Sequence, residues 1–182
     1  PYSVPAILGC KQVNNKAKAS ITMVQNNISN RDSMYDIYMS NTDSADIISI
    51  WGGINDFITH QPMGDINSKD TYTFYGACHE LFQKLINKYS ESTIVVVTPL
   101  HRVDEMNLRG EGFKQTEVAP LSVYVDIIKE SAKRHNIPLL DLYDGLGIDP
   151  NNAEDNAKYF ADGLHPNDAG HEVLAEKIIS FL

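Results

Sequence analysis

Three nearly continuous apolar runs of strand length, Ala45–Trp51, Thr93–Thr98 and Ile137–Tyr143, are separated by segments that carry a helical period. Such runs are what strands covered by helices on both faces look like, because neither face has to meet water. A fourth, weaker run lies near Gln12–Asn15. Between the runs, Phe74, Cys78, Leu81, Phe82, Leu85 and Tyr89 fall on one helical face, and Leu121, Val125, Ile128 and Ala132 do the same. A last helix is predicted after Pro166 and Asn167, burying Val173, Leu174, Ile178 and Phe181. Strand and helix in alternation predict an α/β sandwich with right-handed crossovers, whose active residues gather beyond the carboxyl ends of the strands.

The 182 residues are enough for one domain with a substantial core, and a 42% hydrophobic, 21% charged composition is that of a folded chain. Fifteen Lys and Arg against twenty-four Asp and Glu leave a net charge of −9, which repels phosphate backbones and anionic headgroups and argues against nucleic acid as a partner. Cys10 and Cys78 lack metal-ligand spacing and are expected to be buried small apolar groups. His60, His79, His135 and His171 read as ordinary surface or helix residues, so no metal site is expected. No run approaches the roughly 20 apolar residues of a membrane span. The chain reads as soluble, cytoplasmic or secreted, and its compartment and oligomeric state stay open. The longest irregular stretches, Gln61–Lys69 and Asp104–Glu117, are binding-side loops or tolerated surface insertions.

Two short motifs carry chemistry. After the Ala45–Trp51 run comes Gly52-Gly53-Ile54-Asn55-Asp56, where glycines let the backbone turn tightly and Asn55 can present its amide as an oxyanion donor. Asp162-Gly163-Leu164-His165-Pro166-Asn167 places a carboxylate three residues before a histidine and just ahead of a helix. One turn of chain then brings the acid to one imidazole nitrogen and leaves the other as a general base. Taken singly, the first is also an ordinary structural turn and the second also a helix cap with a solvated histidine. Their order on an α/β pattern makes the pair specific.

Gly53-Ile54-Asn55-Asp56 resembles the third conserved block of the SGNH (GDSL-type) hydrolases, and Asp162-Gly163-Leu164-His165-Pro166-Asn167 resembles the fifth. The strand ending Val97-Thr98-Pro99-Leu100-His101-Arg102, the segment Ile137–Tyr143 and the terminal Gly170-His171 helix also resemble this family's small bacterial esterases, so the likeness spans nearly the whole chain. It implies a three-layer, flavodoxin-like sandwich with helices on both faces of a parallel sheet. It also implies His165 as base, Asp162 as its orienting acid, Asn55 as an oxyanion donor, no cofactor, and short acyl esters as substrates, acetyl groups on carbohydrate or lipid esters among them.

The chain departs from the family's pattern in two places. It contains no Gly-Asp-Ser block, whose serine is the family's nucleophile. That block follows the first strand, so both are expected upstream of Pro1, making residues 1–182 a single, N-terminally incomplete domain with a gap in its sheet. The second departure is Ser20, which stands where the family has an oxyanion-hole glycine. A serine still offers its backbone N–H, but glycine tolerates a φ that serine resists. Ser20 is therefore a candidate donor, and Gly53 and Arg102 are candidate substrate-binding positions, Arg102 suiting a carboxylate or a sugar hydroxyl. The rival to an esterase is a non-catalytic remnant or carbohydrate-binding module on the same scaffold. A flavodoxin-like binder of a phosphorylated cofactor would need a Gly-rich phosphate loop after a strand, which is lacking.

Overall fold

A computed structural model describes residues 4–25, 33–106 and 119–182. The chain divides into two compact units: Lys18–Pro99 with Met106–Leu139, and Pro1–Ala17 with Leu100–Glu105 and Leu140–Leu182. Of the expected loop Asp104–Glu117, residues 107–117 lie outside the described residues.

In the first unit, strand β1 (Ile47–Trp51) pairs in parallel with β2 (Thr93–Val97), Ile47 opposite Thr93 and Trp51 opposite Val97. The described sheet has the order β1-β2-β3, with β3 at Leu139–Leu140. Ile94, Val95, Val96 and Val97 are all buried, as the continuous run predicts. On β1 only Ile48 and Ile50 are buried, while Ile47 and Trp51 stay 44% and 42% exposed. The alternation leaves one face of β1 uncovered, so the cover on both faces expected for Ala45–Trp51 is lacking.

Helices α2 (Met34–Ser40), α3 (Ile54–Ile58), α4 (Phe74–Lys88) and α5 (Leu121–Arg134) complete this unit. Ser33 opens α2 in a capping box with Asp36, and the Thr73 hydroxyl accepts from the Gly76 N–H to open α4. The apolar faces of α4 and α5 meet through Phe74, Leu81, Leu85, Leu121, Tyr124 and Ile128, none more than 1% exposed. Each such side chain contributes about 1.5–3 kcal/mol by leaving water. Tyr124 is the hub: its ring sits edge-on to Phe74 and Phe57 at 5.1 and 6.1 Å, and its hydroxyl donates to the Gln61 carbonyl at 2.9 Å. The start of the Gln61–Lys69 loop is tied to the core by that bond.

The second unit holds α1 (Val4–Ile7), α6 (Leu142–Gly145), α7 (Ala153–Tyr159) and α8 (Asp168–Phe181), with α1 and α7 each packing on α8. Asn152 caps α7 by accepting from the N–H groups of Glu154 and Asp155. Asn167 caps α8 and also donates to the Lys158 carbonyl, binding the end of α7 to the start of α8.

Four sequence expectations are corrected. Gln12–Asn15 forms no strand; its residues are exposed, so no apolar face holds them in a sheet. The run Ile137–Tyr143 yields only a two-residue strand, because the Asp141 carboxylate accepts from the N–H groups of Tyr143 and Asp144 and turns the chain into α6. On α8 it is Gly170, Leu174 and Ala175 that are buried, whereas Phe181, at the end of the chain, is 37% exposed. Cys78 is buried as expected, but Cys10 is exposed.

Candidate active site

The turn that carries His165 is shaped by Asp162. One carboxylate oxygen accepts from the N–H groups of Leu164 and His165, at 3.0 and 2.8 Å. The other lies 2.8 Å from Nδ1 of the His165 ring. Gly163, at φ +78°, lets the chain reverse, and a bridge between Phe160 and Pro166 closes the loop. The sequence Asp-Gly-Leu-His thus builds turn and dyad with a single carboxylate. The His165 N–H, then its ring, then the Leu164 N–H hold the Asp162 carboxyl down at about 2. A carboxylate only accepts, so Nδ1 carries the proton and Nε2 is left as the basic nitrogen. Both side chains are well exposed, 72% for His165 and 54% for Asp162.

In the other unit, Gly53-Ile54-Asn55-Asp56 forms the tight entry into α3. Gly53 sits at φ +107°, and a Cβ there would lie 2.9 Å from Ile128 Cδ1 and 3.3 Å from Phe74 Cζ. Both backbone conformation and packing therefore demand glycine. Asn55 donates one amide N–H to the Ile21 carbonyl at 2.9 Å, which fixes the plane of the amide and leaves its second N–H direction determined. Asp56, absent from the sequence-based candidates, is wholly buried. Its two oxygens accept from the main-chain N–H groups of Met23 and Val24, at 2.9 and 3.0 Å. Burial pushes its carboxyl up to about 7 against the pull of those N–H groups.

Asn55 and Asp56 together clamp the segment 21–24 that follows Ser20. Ser20 adopts φ +62°, the left-handed region anticipated where the family has glycine. A side chain there costs about 1–2 kcal/mol relative to glycine, so the turn is kept in spite of its residue. The only sequence signal for Asp56 was its place beside Asn55. That both would reach one distant segment depends on the fold.

Arg102 is 5% exposed, and its Nε donates to the Val103 carbonyl at 3.1 Å. Its Nε is thus engaged within its own loop. His165, Asp162 and Arg102 belong to one unit, and Asn55, Ser20 and Gly53 to the other. Among the described residues no group of three or more His, Cys, Asp or Glu is placed to hold a metal ion, and no helix is long and apolar enough to cross a membrane.

Over residues 3–173 the sequence matches the model of the GDSL-like lipase/acylhydrolase family, and the chain belongs to that family of ester-hydrolysing enzymes. Its fold is the family's three-layer α/β sandwich with a parallel sheet. It is similar to a solved protein from Lactobacillus plantarum, 28% identical with a TM-score of 0.84, over 98% of this chain and 84% of that one. A possible lipase from Chitinophaga pinensis is 19% identical with a TM-score of 0.72, over 97% and 84% of the two chains. An acetyl xylan esterase is 21% identical with a TM-score of 0.53, over 80% and 74%. No curated protein matches the chain.

Proposed function

We propose that this protein is a serine esterase acting on short acyl esters, acetyl esters of carbohydrate among them. His165 is the general base, Asp162 its orienting acid, and Asn55 with the Ser20 N–H the oxyanion donors. The observation that carries the reading is the 2.8 Å bond between His165 Nδ1 and Asp162 Oδ2. In this reading the nucleophile stands in a Gly-Asp-Ser block preceding Pro1. Its Oγ attacks the ester carbonyl carbon while its proton passes to His165 Nε2, and the carbonyl oxygen becomes an oxyanion facing the donors. The bond to the alcohol oxygen then breaks as His165 returns the proton to it. Water repeats the sequence on the acyl-serine and releases the acid. The negative Asp162 stabilises the imidazolium formed in each half.

Asn55→Ala is expected to lower kcat by about 10² or more, with KM little changed, because the donor acts on charge that develops only in the transition state. Steady-state kinetics on an acetyl ester check this; a change confined to KM would instead make Asn55 a substrate-binding residue.

Fluorophosphonate labelling, mapped by peptide mass spectrometry, tests the whole reading. It is applied to residues 1–182 and to the product of the reading frame extended upstream. An adduct on a Gly-Asp-Ser serine in the extended protein alone is expected. An adduct on Ser20 would overturn the placing of the nucleophile, and no adduct on either would favour the non-catalytic remnant.

A further inference from the structure

A second imidazole–carboxylate pair lies in the same unit as His165. Nδ1 of His101 is 2.9 Å from Oε2 of Glu105, and that carboxylate also accepts from the Arg102 N–H at 3.2 Å and the Tyr143 hydroxyl at 3.3 Å. Burial first, then the charge of Glu105, push the Tyr143 phenol up, so its hydroxyl stays a donor. The His101 ring lies 3.9 Å from the Tyr143 ring at a tilt of 35°, which restrains it from turning away. By the argument used for His165, the proton sits on Nδ1 and Nε2 carries a lone pair. No step of the mechanism above uses that nitrogen.

The loop bearing this pair is fastened to the turn bearing His165. The Val103 N–H donates to the Gly163 carbonyl at 2.9 Å. Val103 also covers Gly163 so closely that a Cβ there would lie 2.7 Å from Val103 Cγ2. Asn151 holds the loop from another side, donating to the Arg102 carbonyl at 3.2 Å. In ester cleavage the leaving alcohol must reach His165 Nε2, the nitrogen that gives it a proton. Groups bordering the turn 162–165 therefore border the alcohol half of the substrate. The His101 side chain is 23% exposed, enough for its edge to meet a ligand.

We propose that His101 is a specificity-determining residue whose Nε2 accepts a hydrogen bond from a hydroxyl on the alcohol half of the ester, so that polyol and sugar esters are preferred to esters of plain alkanols. The inference rests on the esterase reading and on the bond that joins the two loops. A buried or half-buried acceptor matched to a substrate hydroxyl discriminates against the analogue that lacks it, because the acceptor is then left unpaired.

The test is the ratio of kcat/KM for a monoacetylated methyl hexoside to that for cyclohexylmethyl acetate, in the complete protein and in His101→Phe and His101→Gln. Phenylalanine keeps a ring over Tyr143 and deletes the nitrogen; glutamine keeps a polar group near the position of Nε2. The ratio should fall about tenfold in His101→Phe, the worth of one hydrogen bond, and by less in His101→Gln. A ratio unmoved in His101→Phe, or moved equally by both variants, overturns the proposal. If the unaltered protein turns over neither ester, the esterase reading falls by itself. A ¹⁵N-histidine titration with the free methyl hexoside then decides for His101: a shift of its Nε2 resonance supports the site, and an unmoved resonance overturns it.

Discussion

His165→Ala is expected to abolish ester turnover, a loss of at least about 10⁴ in kcat, in a protein that remains folded. The ring is 72% exposed, and its hydrogen bond is to Asp162, itself 54% exposed, so its removal opens no cavity. The turn is held by main-chain bonds that alanine retains: the residue 165 N–H still meets Asp162, and the Ala161 N–H still meets the residue 165 carbonyl. Stability should therefore move by no more than about 0.5 kcal/mol, as for other exposed sites. Catalysis has no such reserve. Asp162, its carboxyl still lowered by the N–H groups of residue 165 and Leu164, is too weak a base to take the imidazole's place. Circular dichroism and a urea melt, run beside steady-state kinetics, separate the two effects. Near-normal turnover in the variant would sink the assignment of His165 as base.

Asp56→Asn should damage both stability and turnover, although it alters no group that meets substrate. Each carboxyl oxygen faces a main-chain N–H, from Met23 or Val24, in a site with no access to water. An amide nitrogen in place of either oxygen sets donor against donor, leaving a buried N–H unsatisfied at a cost of about 1–3 kcal/mol. The segment released is the one that follows Ser20 and meets Asn55, so the proposed oxyanion donors should lose their register and kcat should fall by about 10². Asp56 is a positioning residue, and its pH dependence distinguishes it from a generic core residue. In the folded protein its carboxyl titrates near 7, above its ordinary value of 3.8. Between those values the folded state holds a proton that the unfolded state has released, so stability declines as pH rises through this window. The asparagine variant lacks that proton. Its deficit in urea melts should be widest near about pH 4–5 and shrink toward about pH 8, because Cys78 and Tyr124, pushed up first by burial and then by the Asp56 charge, stay protonated throughout that range. A deficit that does not vary with pH would remove Asp56 from this role.

Much of this was legible in the sequence because it is local. The stripes at Phe74–Leu85 and Leu121–Ala132 repeat every three to four residues, and α4 and α5 lie where that period puts them. The Asp162–His165 pair was legible for the same reason: three residues separate acid and ring, and one carboxylate both builds the turn and reaches Nδ1. The left-handed backbone at Ser20 could be anticipated from a family position held by glycine. Other features were decided only by distance along the chain. A strand of the right composition is exposed on one face where nothing packs over that face, as at Ile47 and Trp51, and composition does not say which faces are covered. Asp56 reaches Met23 and Val24 across more than thirty residues, and Glu105 meets Tyr143 across 38. Neither bond has a sequence spacing from which to infer it. Turns, helix faces and the Asp162–His165 pair follow from neighbours within one turn of chain, whose geometry the covalent backbone already limits. The clamp on segment 21–24 and the contact of Tyr143 with the His101–Glu105 pair exist only once remote segments are packed together, because burial makes those hydrogen bonds both possible and necessary.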